Sequence, residues 1–109
     1  MPPSAIDCHV HPCDEVSVQH LGGGRLEVLA SYFGREIKPI SLDELADAYR
    51  ARDMMAVLLA TDNSTTSGLP AVPNDHIAAA VRKHPDLFMA FGGVDPWSVL
   101  FGLGEVARA

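Results

Sequence analysis

The sharpest chemistry in this chain lies in the stretch Ile6-Asp7-Cys8-His9-Val10-His11-Pro12. In an extended strand alternate residues point to the same side. His9 and His11 are therefore expected to project together, with Cα atoms about 6.5 Å apart, within reach of one common ion. Imidazole nitrogens suit zinc, iron, cobalt and nickel alike, so the pattern does not choose the metal. Two nitrogens also make an incomplete catalytic site, since catalytic zinc takes three protein ligands and keeps a position for water. A plainer reading stays open beside this one, in which the two histidines cap a strand end with hydrogen bonds to backbone or solvent.

The neighbouring residues sort by the same alternation. Asp7 shares a face with His9, either as a carboxylate that holds an imidazole tautomer or as a strand-end carboxylate bonded to the backbone. Cys8 points the other way, toward a helix layer, as a small buried apolar residue. Cys13, in the loop beyond, is a candidate for contact with substrate. It is also a remote candidate ligand, because Cys-x4-Cys brackets the histidines, although that spacing fits no zinc ribbon or finger. Further along, Asp62 opens a turn-rich loop and is a second candidate for substrate contact. Asp95 is explained by capping a helix that Pro96 opens. The Gly22–Gly24 run ahead of Arg25 is a loop hinge first and a carboxylate cradle second. His20 reads as a solvated loop histidine, and His76 and His84 as helix-surface or packing histidines, outside any barrel and away from its mouth.

The elements that must position these residues follow from periodicity. Ala5 to Val10 is a short apolar run with β-branched residues and reads as a strand that ends in the polar turn His11 to Glu15. Arg25 to Phe33 is expected as a helix after the glycines. Ser41 with Glu44 three residues on is a capping box, and Leu42, Leu45, Ala46, Tyr49 and Met54 recur at helical spacing, so a helix should run from Leu42 to about Arg52. Ala56 to Thr61 is a continuous apolar run, as in a parallel strand buried on both faces. Asn74 is a candidate cap for a helix with Ile77, Ala78 and Val81 on its apolar side, closed by Pro85. Leu87 to Val94 reads as a third strand, and Trp97 to Ala109 as a weak, glycine-interrupted helix.

Alternating strands and helices predict an α/β fold with a parallel sheet built from right-handed βα units. Three units in 109 residues is about 36 residues each, so eight would reach about 290, within the range of a (β/α)8 barrel. Three strands alone leave two open edges, and the chain is expected to be one incomplete domain, residues 1–109, the N-terminal part of such a barrel. It should then expose the strand residues Leu58, Leu59, Phe88, Met89 and Phe91 that a closed barrel buries, and should aggregate or self-associate.

Composition narrows the function classes. The chain is 48 % apolar and 20 % charged, with 8 Lys plus Arg against 14 Asp plus Glu for a net charge of −6. That is a core-forming composition with no electrostatic footprint for nucleic acid or anionic lipid. No stretch reaches the roughly 18 apolar residues of a membrane helix, and there is no basic-then-apolar leader. The two cysteines are too few for a disulfide framework. The expectation is a soluble cytoplasmic protein with reduced thiols.

The motif Asp7-Cys8-His9-Val10-His11-Pro12 resembles the first-strand metal motif of the amidohydrolase superfamily. The run from Val72 to Pro96 resembles the second and third βα units of its amidohydrolase-related branch. The resemblance covers nearly the whole chain and implies a TIM barrel enzyme in which His9 and His11 hold a divalent metal, zinc first, with manganese, iron or cobalt as alternatives. It further implies histidines after the fifth and sixth strands and an aspartate after the eighth, beyond residue 109, with the general base there as well. The substrate would be a small molecule bearing a carbonyl or carboxylate. The activity would be hydrolysis of an amide, ester or lactone by a metal-activated water, or metal-dependent decarboxylation of an aromatic or unsaturated acid. This chain alone would be inactive, and a homo-oligomer is compatible with the branch. A reading of a different class is a non-catalytic, truncated α/β module.

Overall fold

In a computed structural model the backbone is described over residues 2–22 and 24–108, and the side chains over the same residues except 20, 21 and 99–103. Gly23 of the glycine run and the side chain of His20 thus lie outside the described residues. Three strands, β1 (Ala5–Val10), β2 (Met54–Leu59) and β3 (Phe88–Phe91), form one parallel sheet in the order β1-β2-β3. The helices are α1 (Arg25–Phe33), α2 (Leu42–Ala51), the single turn α3 (Ser64–Ser67), α4 (Asn74–Lys83) and α5 (Val99–Arg108), with a 3-10 turn at Ser17–Leu21. The class is α/β, as the alternation of periods predicts.

Local chemistry accounts for the element ends. The Ser41 hydroxyl accepts the Glu44 N–H at 3.0 Å and opens α2. At its other end Asp53 takes a left-handed φ of 54°, which a short polar side chain tolerates. The chain therefore turns into β2 at Met54, two residues ahead of the expected Ala56. β3 is shorter than the expected Leu87 to Val94, because the Asn74 side chain takes over its continuation. Asn74 accepts the Gly93 N–H at 2.8 Å and donates to the Gly93 carbonyl at 2.9 Å. Asn74 is therefore the first residue of α4 rather than its cap, which is Pro73. Gly93 cannot carry a side chain here, since a Cβ would lie 2.6 Å from the Ala60 carbonyl oxygen. Asp95 does not open the last helix either, as α5 begins at Val99.

Packing is one-sided. Val10, Ala46, Ala56, Leu58, Val72, Ile77, Ala80, Leu87 and Phe88 form one buried cluster, so α2 and α4 cover the same face of the sheet. Consecutive right-handed crossovers between neighbouring strands produce this, because each helix returns on the same side. Residues paired across parallel strands share a face, and Ala56 pairs with Phe88 while Val57 pairs with Met89 and Leu59 with Phe91. The expected bare set is corrected accordingly: Leu58 and Phe88 are buried under the helices, while Met89 and Phe91 look away from them, 42 % and 68 % exposed. The result is a slab about 18 Å thick and 42 by 39 Å across.

Candidate metal centre at the end of β1

β1 does not keep strict alternation. Asp7 pairs with Ala56 but Val10 pairs with Leu58, three steps on one strand against two on the other, which marks a bulge at Cys8 and His9. Such an extra residue re-aims the side chains that follow it. Asp7 and Val10 therefore both face the helices, although their spacing is odd. His9 falls on the opposite, open face, and His11, just past the strand, turns its ring to the same place.

Two alternation-based expectations are corrected by the register of β1. Asp7 does not share a face with His9: its carboxylate accepts the Tyr49 hydroxyl at 2.6 Å and the backbone N–H of His9 at 3.2 Å, the backbone-bonded alternative, and makes no hydrogen bond to an imidazole among the described residues. Cys8 is exposed rather than packed in the helix layer, its thiol directed at the Ile6 carbonyl.

The two imidazoles meet edge to face, with centroids 4.9 Å apart and the two Nε2 atoms at 3.0 Å. Without a cation, one Nε2 carries the proton and the other accepts it. The spacing also fits joint ligation. Two nitrogens each about 2.0–2.1 Å from one ion stand about 2.9 Å apart at a right angle and about 3.4 Å apart at the tetrahedral angle. Among the described residues no group of three or more His, Cys, Asp or Glu is arranged to hold a metal, so this pair is the whole of the donor set seen here.

The other expected contributors are placed separately. The Cys13 thiol points to the His11 carbonyl at 3.7 Å. Desolvation, and then the adjacent Asp14 charge, push its pKa up although the residue as a whole is exposed, which disfavours the thiolate that a metal needs. Asp62, past the end of β2, accepts the Ser64 hydroxyl at 2.7 Å and N–H at 3.2 Å through Oδ1. Asp95, past the end of β3 and 1 % exposed, accepts the Thr65 N–H at 2.7 Å through one oxygen and the Trp97 N–H at 2.9 Å through the other. Hydrogen bonds from Thr65, then from Trp97, hold its pKa below the ordinary carboxylate value against the opposing effect of burial. Asp95 thus ties α3, a helical turn within the turn-rich loop that Asp62 opens, to the end of β3. His84 is a packing histidine: its ring meets Phe88 at 5.6 Å and its Nε2 contacts Asp43 at 2.8 Å.

His76 is corrected in position. It lies in the first turn of α4, at the end of the sheet where the strands terminate, and its Nε2 contacts Asp14 Oδ2 at 2.5 Å. Sequence spacing carries no signal for this pair, which spans 62 positions. The same holds for Tyr49 with Asp7.

The Tyr49–Asp7 contact gives a pH prediction. Desolvation first, then the bond to Asp7, raise the Tyr49 pKa from 10.0 to about 12. A folded-state pKa above the unfolded one means stabilisation that is complete below pH 10 and lost as pH rises toward about 12. In a Tyr32→Phe background, phenolate absorbance should report a single midpoint near 12. Asp7→Asn should bring it part of the way back, because desolvation remains. A midpoint at 10 in the folded protein would refute the contact.

No helix among the described residues is long and apolar enough to cross a membrane. No family model matches the chain, and no curated protein or solved structure matches it.

Proposed function

We propose that this chain is the N-terminal part of a metal-dependent (β/α)8 hydrolase of the amidohydrolase-related type, with His9 and His11 as two of the ligands to a divalent cation, zinc by preference. The observation that carries the reading is the 3.0 Å approach of the two Nε2 atoms on the open face at the C-terminal end of a parallel strand. That is the end at which α/β enzymes place their chemistry. A sheet with sequential strand order and helices on one face is what successive barrel units would supply.

When bound, such an ion would polarise a substrate carbonyl and make water nucleophilic near neutral pH. His9 and His11 would hold it through neutral nitrogens. Asp62 would contact substrate through Oδ2, which takes no hydrogen bond among the described residues. Cys13 would stand beside the histidines as a neutral thiol. We assign no general base to this chain, and we place the protein in the cytoplasm with both thiols reduced.

The test is Zn(II) titration of the protein, followed by the imidazole resonances of its histidines. His9 and His11 should shift together, and the His9→Ala His11→Ala variant should lose the response. Equal uptake by the wild type and the double variant would refute the reading. Within it, profiling on amides, esters, lactones and aromatic acids separates hydrolysis from decarboxylation, and turnover of none of them favours a non-catalytic module.

A further inference from the structure

One buried ionisable pair at the same end of the sheet has no part in the chemistry proposed above. Asp14 is only 7 % exposed. One of its oxygens contacts His76 Nε2 at 2.5 Å, while the other, Oδ1, is buried without a hydrogen-bond partner among the described residues. A carboxylate withdrawn from water this far and bonded through one oxygen is held in place by that single partner.

The loop that carries Asp14 also carries His11, three residues earlier. Between them Pro12 is buried, the Cys13 carbonyl accepts the Ile40 N–H at 3.0 Å, and the Asp14 carbonyl accepts the Val18 N–H at 3.0 Å. These contacts join the loop to other loop segments. The Asp14–His76 bond joins it to a helix of the packed layer, since α4 contributes Ile77 and Ala80 to the core. His76 is thereby a second tie between the packed layer and the segment on which His11 stands, beyond Val10, which anchors the strand end beside Leu58.

We propose that Asp14 and His76 are positioning residues for the histidine pair: their contact clamps the β1 loop to α4 and so holds the His11 imidazole against that of His9. The proposal rests on the cation reading of His9 and His11 for its consequence, but not for its geometry. If His76 is lost, the Asp14 carboxylate loses the one side-chain partner it has among the described residues. It moves to water and draws the loop with it, and His11 leaves His9. The groups that stand at the clamp are His76 from α4 and Asp14 from the loop, with Cys13 beside Asp14.

The experiment has two readouts on the full chain. The first is the nuclear Overhauser contact between the His9 and His11 rings in metal-free protein; the second is Zn(II) affinity from imidazole shifts. His76→Ala should lose the ring contact and bind Zn(II) about ten-fold more weakly, the low end of what lost support behind a metal ligand costs. His76→Gln, whose amide N–H can still donate to Asp14, should restore both. Should His76→Ala not fold, Asp14→Leu His76→Ala removes the buried charge together with the clamp and should fold while lacking the ring contact. An intact ring contact in either clamp-less variant overturns the proposal. If His76→Ala binds Zn(II) like the wild type while His9→Ala His11→Ala does not, the cation reading stands and the positioning role is refuted. If wild type and His9→Ala His11→Ala bind alike, the cation reading fails and the ring contact alone decides the clamp.

Discussion

Phe88→Ala should lower the stability of the chain by about 3–5 kcal/mol, the range for removing a fully buried aromatic side chain. That is a large part of the roughly 5–15 kcal/mol that holds an ordinary domain together. Phe88 is 1 % exposed, packs with Ala56, Leu58 and Leu87, and meets the His84 ring at 5.6 Å. Phe88 lies in the buried cluster that α2 and α4 cover, so the cavity opens in the core itself. The adjacent Met89 provides the control. It is 42 % exposed on the uncovered face, and Met89→Ala should change stability by no more than about 1 kcal/mol. Urea unfolding followed by circular dichroism measures both. Equal midpoints for the two variants would show that the helix-covered layer is not packed as described.

The second large effect comes from the uncovered face. Ile6, Met89 and Phe91 are 47 %, 42 % and 68 % exposed there, beside two open sheet edges, β1 and β3. Contiguous apolar surface next to unpaired strand edges favours association. The chain should therefore sediment or scatter above its monomer mass of 11.7 kDa, with an average mass that rises with concentration. Met89→Lys Phe91→Lys should return the mass toward the monomer without touching Phe88. A wild-type chain that stays monomeric at high concentration would contradict this.

Much of the architecture was legible from local signals. β1 runs over Ala5–Val10 and α1 over Arg25–Phe33, with the bounds read from the sequence, and Ser41 caps α2 through Glu44 as its spacing predicts. These are short-range facts: apolar period, glycine punctuation and a side chain that reaches three residues forward. The His-x-His pattern belongs with them, since residues two apart in an extended chain are near each other whatever the rest of the fold does.

Other features were settled only by contacts distant in sequence. Its register with Ala56 turns Asp7 to Tyr49, and the bulge that follows leaves His9 on the open face; both are visible only once β1 is registered against β2. Asn74 reads as a helix cap, yet Gly93 is near enough to take its amide instead. His76 reads as a helix-surface or packing histidine with no partner specified, and the fold brings the buried Asp14 to its ring from 62 positions away. Periodicity determined the three strands and the longer helices and roughly where they end, but not the short turns at Ser17–Leu21 and Ser64–Ser67. Which of two faces a side chain occupies, and which partner its polar atoms find, depended on strand register and helix packing, because a buried polar group must be satisfied by whatever the assembled chain places beside it.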